Sequence, residues 1–360
     1  MTNQTPTNRA VSDQAVSDQA VSDQVVSHQA RGTVAVTGAE GFIGSHLVEL
    51  LVRSGYRVRA MALYNSFGSW GWLETLSPDV LAGVEVVLGD VRDPASVREL
   101  IADAEVVYHL AALIAIPYSY RAPRSYVDTN VVGTLNVLEA VRELGTPRLV
   151  HTSTSETYGT ARTVPISEEH PIQAQSPYAA SKVGADKLVE SYHLSFGLPA
   201  VILRPFNTFG PRQSARAVIP TTISQIAAGA DELRLGSLRP TRDFLYVADT
   251  AEAFLAVGTA PADAVVGEHL NAGTGEEVSI GQLVEDIARL MGREVQVVED
   301  PARVRPKDSE VMRLLCDARK LRERTGWRPR HTRDEGLLRT IEWFRDPANL
   351  QRYKPEFYNQ

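Results

Sequence analysis

Three observations predict an α/β protein, a doubly wound parallel sheet carrying a smaller C-terminal α/β lobe. Short β-branched runs alternate with amphipathic runs from Thr33 to about residue 205, the pattern of parallel strands joined by crossover helices. A glycine turn, Gly38-Ala-Glu-Gly41-Phe-Ile-Gly44, joins the first strand directly to the first helix. The alternation breaks at Pro205-Phe-Asn-Thr-Phe-Gly-Pro211, where prolines and a glycine mark a domain edge. A chain of 360 residues suits one large domain with an attached lobe.

Composition narrows the functional classes. Hydrophobic residues are 43% and charged residues 22% of the chain, ordinary for a packed globular protein. A formal charge of −7 argues against a nucleic-acid-binding surface. The lone cysteine, Cys316, excludes an intrachain disulfide and a cysteine-built zinc site, and suits a reducing compartment; a cytoplasmic location is expected. No apolar run approaches the roughly 18 residues of a membrane span, and the N-terminus has no hydrophobic signal core. Residues 1–30 repeat AVSDQ at 10–14, 15–19 and 20–24 with few large apolar side chains, and a disordered tail is expected there.

Thr33 to Thr37 reads as the first strand and Ser45 to Ser54 as a helix closed by Gly55. Glycines between them let a backbone approach a pyrophosphate, and the helix start offers unpaired N–H groups with partial positive charge. A glycine triplet is weak evidence alone; its place between strand and helix gives it weight. Gly38, Gly41, Phe42, Ile43 and Gly44 are therefore expected to line a dinucleotide in a Rossmann-type domain. The second strand, Arg57 to Leu63, runs into Tyr64, Asn65 and Ser66 with no carboxylate for the adenosine ribose. Asn65 and Ser66 are expected to bond that ribose or, in NADP, its phosphate, with Arg59 or Arg92 assisting the latter. NAD is the expected cofactor and NADP is left open. Residues 64–73 either clamp the adenosine or cover a sheet edge.

A strand over Val84 to Leu88 leads to Asp90 and Val91. Asp90 either accepts from the adenine amino group or serves the helix start before Pro94. The fourth strand, Val106 to Leu110, ends in small residues that let a cofactor pass, so Leu110, Ala111 and Ala112 are assigned to that wall. His109 reads as a structural histidine. Residues 113–126, rich in tyrosine and arginine, suit a substrate lip, and a helix follows over Val127 to Leu144, ended by Gly145.

The fifth strand, Arg148 to Thr152, delivers Ser153-Thr154-Ser155-Glu156, and the next helix carries Tyr178 and Lys182 four residues apart on one face. An ammonium beside a phenol favours the phenolate, a base able to take an alcohol proton. Thr154, Ser155, Glu156, Tyr178 and Lys182 form the candidate catalytic set. Beyond Pro205 the reading gives a helix near 219–229, a strand over Phe244 to Val247, a helix over 249–257 returning to the first domain and a strand over His269 to Ala272. A helix over 279–291, a strand over 294–298 and a closing helix over 334–345 follow. The expected division is a dinucleotide domain over 31–205 completed by about 245–275, a substrate lobe over 206–244 and 276–350, and a tail over 351–360. Arginines gathered in the lobe suit a diphosphate; Arg303 and Lys307 read as surface charge.

Four ordered motifs now carry a resemblance. Gly38-x-x-Gly41-x-x-Gly44, Tyr178-x-x-x-Lys182, Arg204-Pro-x-Asn207-x-x-Gly-Pro211 and Arg242-Asp-x-x-x-Val-x-Asp249 resemble the extended short-chain dehydrogenase/reductases acting on nucleotide sugars, the NAD-dependent epimerase/dehydratase family, over about residues 32–345. Sugar 4-epimerases of that family usually show Ser-Ser or Ser-Ala where this chain has Thr154-Ser155-Glu156, which looks like the 4,6-dehydratases. Glucuronate decarboxylases also carry Thr-Ser-Glu. The stretches YNSFGSWGWLETL, LAALIAIPYSY and PFNTFGPRQSARAVIPT look most like dehydratases of legionaminic-acid-type sugar biosynthesis, which act on a nucleotide-linked N-acetylglucosamine.

The resemblance implies Asn207, Arg242 and Arg305 on the diphosphate of a nucleotide sugar, Gln213 and Arg216 on sugar or base, and a homodimer paired through the Asn130 and Tyr178 helices. It implies oxidation at C4 by Tyr178 and the cofactor, with Thr154 steadying the oxygen, removal of the C5 proton by Glu156, loss of O6 as water and hydride return to C6. Ser155 stands where Thr-Asp-Glu enzymes have an acid, so O6 would be protonated either by Glu156 or by a water relayed through Ser155. A 4-epimerase and a uronate decarboxylase compete within the enzymes. A non-catalytic NAD(P)-binding sensor competes from another class, and the retained tyrosine and lysine weigh against it.

Overall fold

Side-chain alternation along each strand produces the layers. In β1 (Thr33–Thr37), Val34 and Val36 join one apolar cluster and Ala35 the other. In β2 (Arg57–Leu63), Ala60 and Met61 part in the same way. Strands β3 (Val84–Gly89), β4 (Val106–His109), β5 (Leu149–Thr152) and β6 (Ala200–Pro205) follow, with an edge strand at His269–Ala272. The computed structural model describes residues 1–2 and 31–354, so most of the expected N-terminal tail and residues 355–360 lie outside the described residues.

The sheet runs His269–Ala272, β6, β5, β4, β1, β2, β3, and all neighbours are parallel. Burial on both faces explains why its central strands read as nearly continuous apolar runs. Helix α1 (Phe42–Arg53) and the helix Val247–Thr259 cover the first face through Leu47, Leu51, Phe254 and Val257. Helices Pro94–Ile101, Gly133–Leu144 and Pro177–Phe196 cover the second through Leu100, Leu138, Val141 and Val189. Strand order reverses between β1 and β4, and their carboxyl ends open into the crevice where a Rossmann-type sheet binds its ligand.

The lobe has its own core. Phe209, Ile223 of the helix Val218–Ala227, Leu235, Phe244, Ile287 of the helix Ile280–Leu290, and Ile341 of the helix Arg333–Arg345 pack together. Two boundaries differ from the expected division. Val311, Leu314, Cys316, Leu321 and Trp327 pack into the first face of the large sheet and not into the lobe, since apolar spacing shows that a residue is buried but not in which core. Tyr353, expected in a tail, is buried against Phe344 and donates its hydroxyl to Gln213 O at 2.8 Å. The helix expected over 127–144 is also divided, with Val127–Val132 π-helical before α-helix begins at Gly133.

The assignment of 311–327 to the sheet domain can be measured. Trp327 is 5% exposed and donates its indole N–H to Asp249 O at 3.0 Å. Trp327→Ala should lower unfolding stability by about 3–5 kcal/mol, read by urea denaturation, and a loss confined to a separate lobe transition would contradict the assignment.

Candidate active site

A cleft of about 1130 Å³ lies between the carboxyl ends of the sheet and the lobe. At its sheet side the glycine turn is shaped for close approach. Gly38 has φ +66°, and a Cβ there would lie 2.7 Å from Ala111 N; one on Gly44 would lie 2.1 Å from Gly38 O. Gly41 caps α1 without any side-chain hydrogen bond, which leaves first-turn N–H groups for an anion. Phe42, Ile43, Val91, Leu110, Ala111 and Ala112 line the same cleft, so the residues present fit a dinucleotide pyrophosphate.

Two adenosine-side expectations are corrected. Asn65 and Ser66 are not in the cleft wall. Asn65 closes its own loop: Nδ2 donates to Ser69 O at 2.7 Å, and Oδ1 accepts from Phe67 N at 3.1 Å and Ser69 N at 3.2 Å, the habit of asparagine in turns. Asp90 does line the cleft, with Arg92 Nε donating to its Oδ2 at 2.9 Å. The helix start is capped by Asp93 instead, which accepts from Ala95 N at 3.1 Å. His109 is structural as expected, its ring nitrogens 2.8 Å from Thr37 Oγ1 and 3.0 Å from Thr134 Oγ1.

Thr154, Glu156, Tyr178 and Lys182 meet in the middle of the cleft. The helix that carries Tyr178 starts at a Ser176 cap, whose Oγ accepts from Ala179 N at 3.1 Å, with Pro177 in its first turn. Burial pushes the Tyr178 phenol well above its ordinary pKa; the hydrogen bond with Thr154 works against this, while Glu156 adds to it. Burial lowers Lys182 to about 8, with Asp186 pulling the other way. Ser155 is a further correction: it is 3% exposed and absent from the cleft wall. The one-turn 3₁₀ helix Ser155–Tyr158 directs Glu156 into the cleft and turns Ser155 into the protein.

On the lobe side, Asn207, Gln213, Arg216, Arg242 and Arg305 all line the cleft. Gln213 Nε2 donates to Thr208 O at 2.8 Å, while its Oε1 is buried without a hydrogen-bond partner among the described residues. Glu310, which the sequence reading missed, lies 3.5 Å from both Arg242 and Arg305. Arg303, read as surface charge, lines the cleft with its side chain 11% exposed and pairs with Asp300 at 3.2 Å. Among the described residues no cluster of three or more His, Cys, Asp or Glu could hold a metal, and no helix is long and apolar enough to cross a membrane.

A family model described as GDP-mannose 4,6 dehydratase matches residues 35–340. The chain belongs to the extended short-chain dehydrogenase/reductases, in their NAD-dependent epimerase/dehydratase family. A UDP-glucose 4-epimerase of Mycolicibacterium smegmatis is 35% identical over 320 residues, 87% of this chain and 98% of that one. A UDP-N-acetyl-alpha-D-glucosaminuronate decarboxylase of Bacillus cytotoxicus is 33% identical over 325 residues, 87% of this chain and 98% of that one. The structure of the dTDP-glucose 4,6-dehydratase DesIV of Streptomyces venezuelae, with NAD bound, superposes with a TM-score of 0.79 at 28% identity over 90% of this chain and 99% of that one.

Beneath the reacting side chains this family member buries a charge network. Asp186, two helical turns after Tyr178, accepts from Ser153 Oγ at 2.6 Å and from Arg204 Nη2 at 2.9 Å. His151 Nε2 is 3.3 Å from Asp186 Oδ1, outside hydrogen-bond alignment. Burial alone would raise the Asp186 carboxyl; His151, Arg204 and Ser153 outweigh it and hold it well below the carboxylate range. Arg204 continues to Tyr158 Oη at 3.0 Å, and Tyr158 donates to Asn271 Oδ1 at 2.9 Å. The spacing of Asp186, four residues after Lys182, was the available sequence signal.

Burial and the Lys182 charge lower His151 from 6.5 to about 4. On acidification the unfolded chain takes this proton first, so stability present above pH 6.5 is lost as pH falls towards about 4. His151→Gln should flatten the urea-denaturation free energy across that window by on the order of 3 kcal/mol. A slope equal to the parent's would remove His151 as its source.

Proposed function

We propose that this protein is a nucleotide-sugar 4,6-dehydratase acting on a nucleoside-diphosphate-linked hexose of the N-acetylglucosamine type. The observation that carries the reading is Glu156, a carboxylate in the cleft wall that acts electrostatically on both Tyr178 and Arg242. NAD, when bound, supplies the hydride acceptor for C4, the hydride returned to C6 and a positive charge that favours the phenolate.

Tyr178 Oη takes the 4-hydroxyl proton, and Thr154 Oγ1 holds the same oxygen as it becomes a carbonyl. That carbonyl acidifies C5–H. Glu156 takes the C5 proton as the C5–C6 double bond forms and the C6–O6 bond breaks. With Ser155 buried away from the cleft, the same Glu156 carboxyl hands its proton to O6, which leaves as water; as hydride returns to C6, C5 takes a proton from water through Glu156, equivalent to the one that Tyr178 drew from O4 and releases. Arg242 and Arg305 neutralise the diphosphate, and Asn207, Gln213 and Arg216 meet the sugar or base. Epimerisation at C4 has no use for a base at C5, which favours dehydration. The hexose class is supported by the likeness of residues 110–120 and 205–221, which supply much of the cleft wall, and of 64–76, which adds Gly71 and Trp72. We infer a cytoplasmic homodimer paired through the helices of Asn130 and Tyr178.

Mass spectrometry after incubation with UDP- and GDP-N-acetylglucosamine, dTDP-glucose and UDP-glucuronate tests the reading. Loss of water from an N-acetylglucosamine nucleotide is expected; unchanged mass with a new stereoisomer would make it an epimerase, and loss of carbon dioxide a decarboxylase. Tyr178→Phe and Glu156→Gln should each lower dehydration by about 10²–10⁴-fold. Only Glu156→Gln should still accumulate NADH absorbance on addition of sugar, and its absence there would sink the division of roles.

A further inference from the structure

The end of β2 is where a Rossmann-type sheet ordinarily presents the acid that holds the adenosine ribose. Here Leu63, Tyr64, Asn65 and Ser66 follow one another, and Asn65 is committed to its own loop. A carboxylate nevertheless reaches the position from elsewhere. Ala39 N in the glycine turn donates to Met61 O at 3.2 Å, which sets that turn against the end of β2. The next residue, Glu40, accepts from Leu63 N at 3.2 Å through Oε1 and belongs to the cleft wall. Its Oε2 is shielded from water and has no hydrogen-bond partner among the described residues.

The residue is held firmly. Trp72 N donates to Glu40 O at 3.0 Å. Gly71, with φ +58°, sits so close that a Cβ on it would be 2.8 Å from that carbonyl and 3.1 Å from Glu40 Cβ. Burial raises the Glu40 carboxyl, and N–H groups of Glu40 and Leu63 oppose the rise. A buried acceptor without a donor is costly, and an ionised carboxylate can only accept, so the group calls for a ligand that donates. Arg59 and Arg92, the cations that could meet a 2′-phosphate, are engaged. Arg59 binds Glu85 at 3.2 Å and the Ala102 carbonyl, and Arg92 binds Asp90 at 2.9 Å.

We propose that Glu40 is the coenzyme-selecting residue: its carboxylate accepts from the adenosine ribose hydroxyls of NAD, and its charge excludes the 2′-phosphate of NADP. The assignment rests on a dinucleotide occupying this cleft, which the dehydratase, epimerase and decarboxylase readings share, and it is tested without any sugar.

Calorimetric titration of nucleotide-free protein with NAD, NADP and 2′-deoxy-NAD provides the test. The parent should bind NAD about a hundredfold or more tighter than NADP, and 2′-deoxy-NAD about tenfold or more weaker than NAD. In Glu40→Gln the NAD–NADP gap should narrow to about tenfold or less, and in Glu40→Ala the 2′-deoxy penalty should vanish. Unaltered discrimination in these variants, or equal binding of NAD and 2′-deoxy-NAD by the parent, overturns the proposal. The parent measurement can overturn the proposal even where a variant fails to fold. If the parent binds neither NAD nor NADP, the dinucleotide reading of the cleft falls with it; loss of dehydratase activity alone touches only the proposed reaction.

Discussion

The Asp186 carboxylate, with 2% of its side chain exposed, is the constraint around which the reacting residues are set. A charge taken that far from water survives only when other groups replace the lost hydration. Ser153 at the end of β5 and Arg204 from β6 do so at Oδ2, and His151 from β5 lies beside Oδ1. These contacts fasten the helix of Tyr178 and Lys182 to β5, which delivers Thr154 and Glu156, and to β6, which leads to Asn207. The same helix is held on its other side by Asn130, whose amide nitrogen donates to Ser181 Oγ at 2.9 Å and to Leu113 O at 2.9 Å. The π-helical stretch Val127–Val132 places this buried asparagine, in keeping with π-turns near functional sites.

Catalytic geometry of this kind is built from strand ends and one helix face, which is why so much of it is legible in the sequence. β-branched runs marked the strands, glycines marked the turns, and the i, i+4 rule joined Tyr178 to Lys182. What escaped were properties that depend on which way a side chain turns inside an irregular segment. Thr154, Ser155 and Glu156 are consecutive, yet a single 3₁₀ turn sends the middle one inward. Asn65 has the right chemistry for a ribose, but its amide is used to close a loop. Glu310 lies far from Arg242 in the chain, and only the folding of the lobe brings them together. Core membership was equally hidden, since Leu321 and Leu337 are both fully buried but in different clusters.

Electrostatics in the cleft is divided by position. The sheet side offers helix N–H groups, Glu40 and the Asp90–Arg92 pair, while the lobe side offers Arg216 and the pair Arg242 and Arg305 around Glu310. The reacting cluster lies between, where burial works against the charged forms of Tyr178 and Lys182. Tyr178 and Lys182 are accordingly pushed towards neutrality in opposite directions, so the state of the pair follows whatever charge enters beside it.

Phe42 and Ile43 belong to the glycine turn by sequence, yet both pack against the lobe's core, and Ile43 touches the sheet's core as well. Trp72, which bonds the same turn, packs there too. The two halves of the molecule therefore do not form separate modules that merely face each other across a gap. An exchange of lobes between relatives would replace the floor beneath the coenzyme along with the wall that reads the sugar, and a chimera would have to carry these three side chains with the lobe they fit.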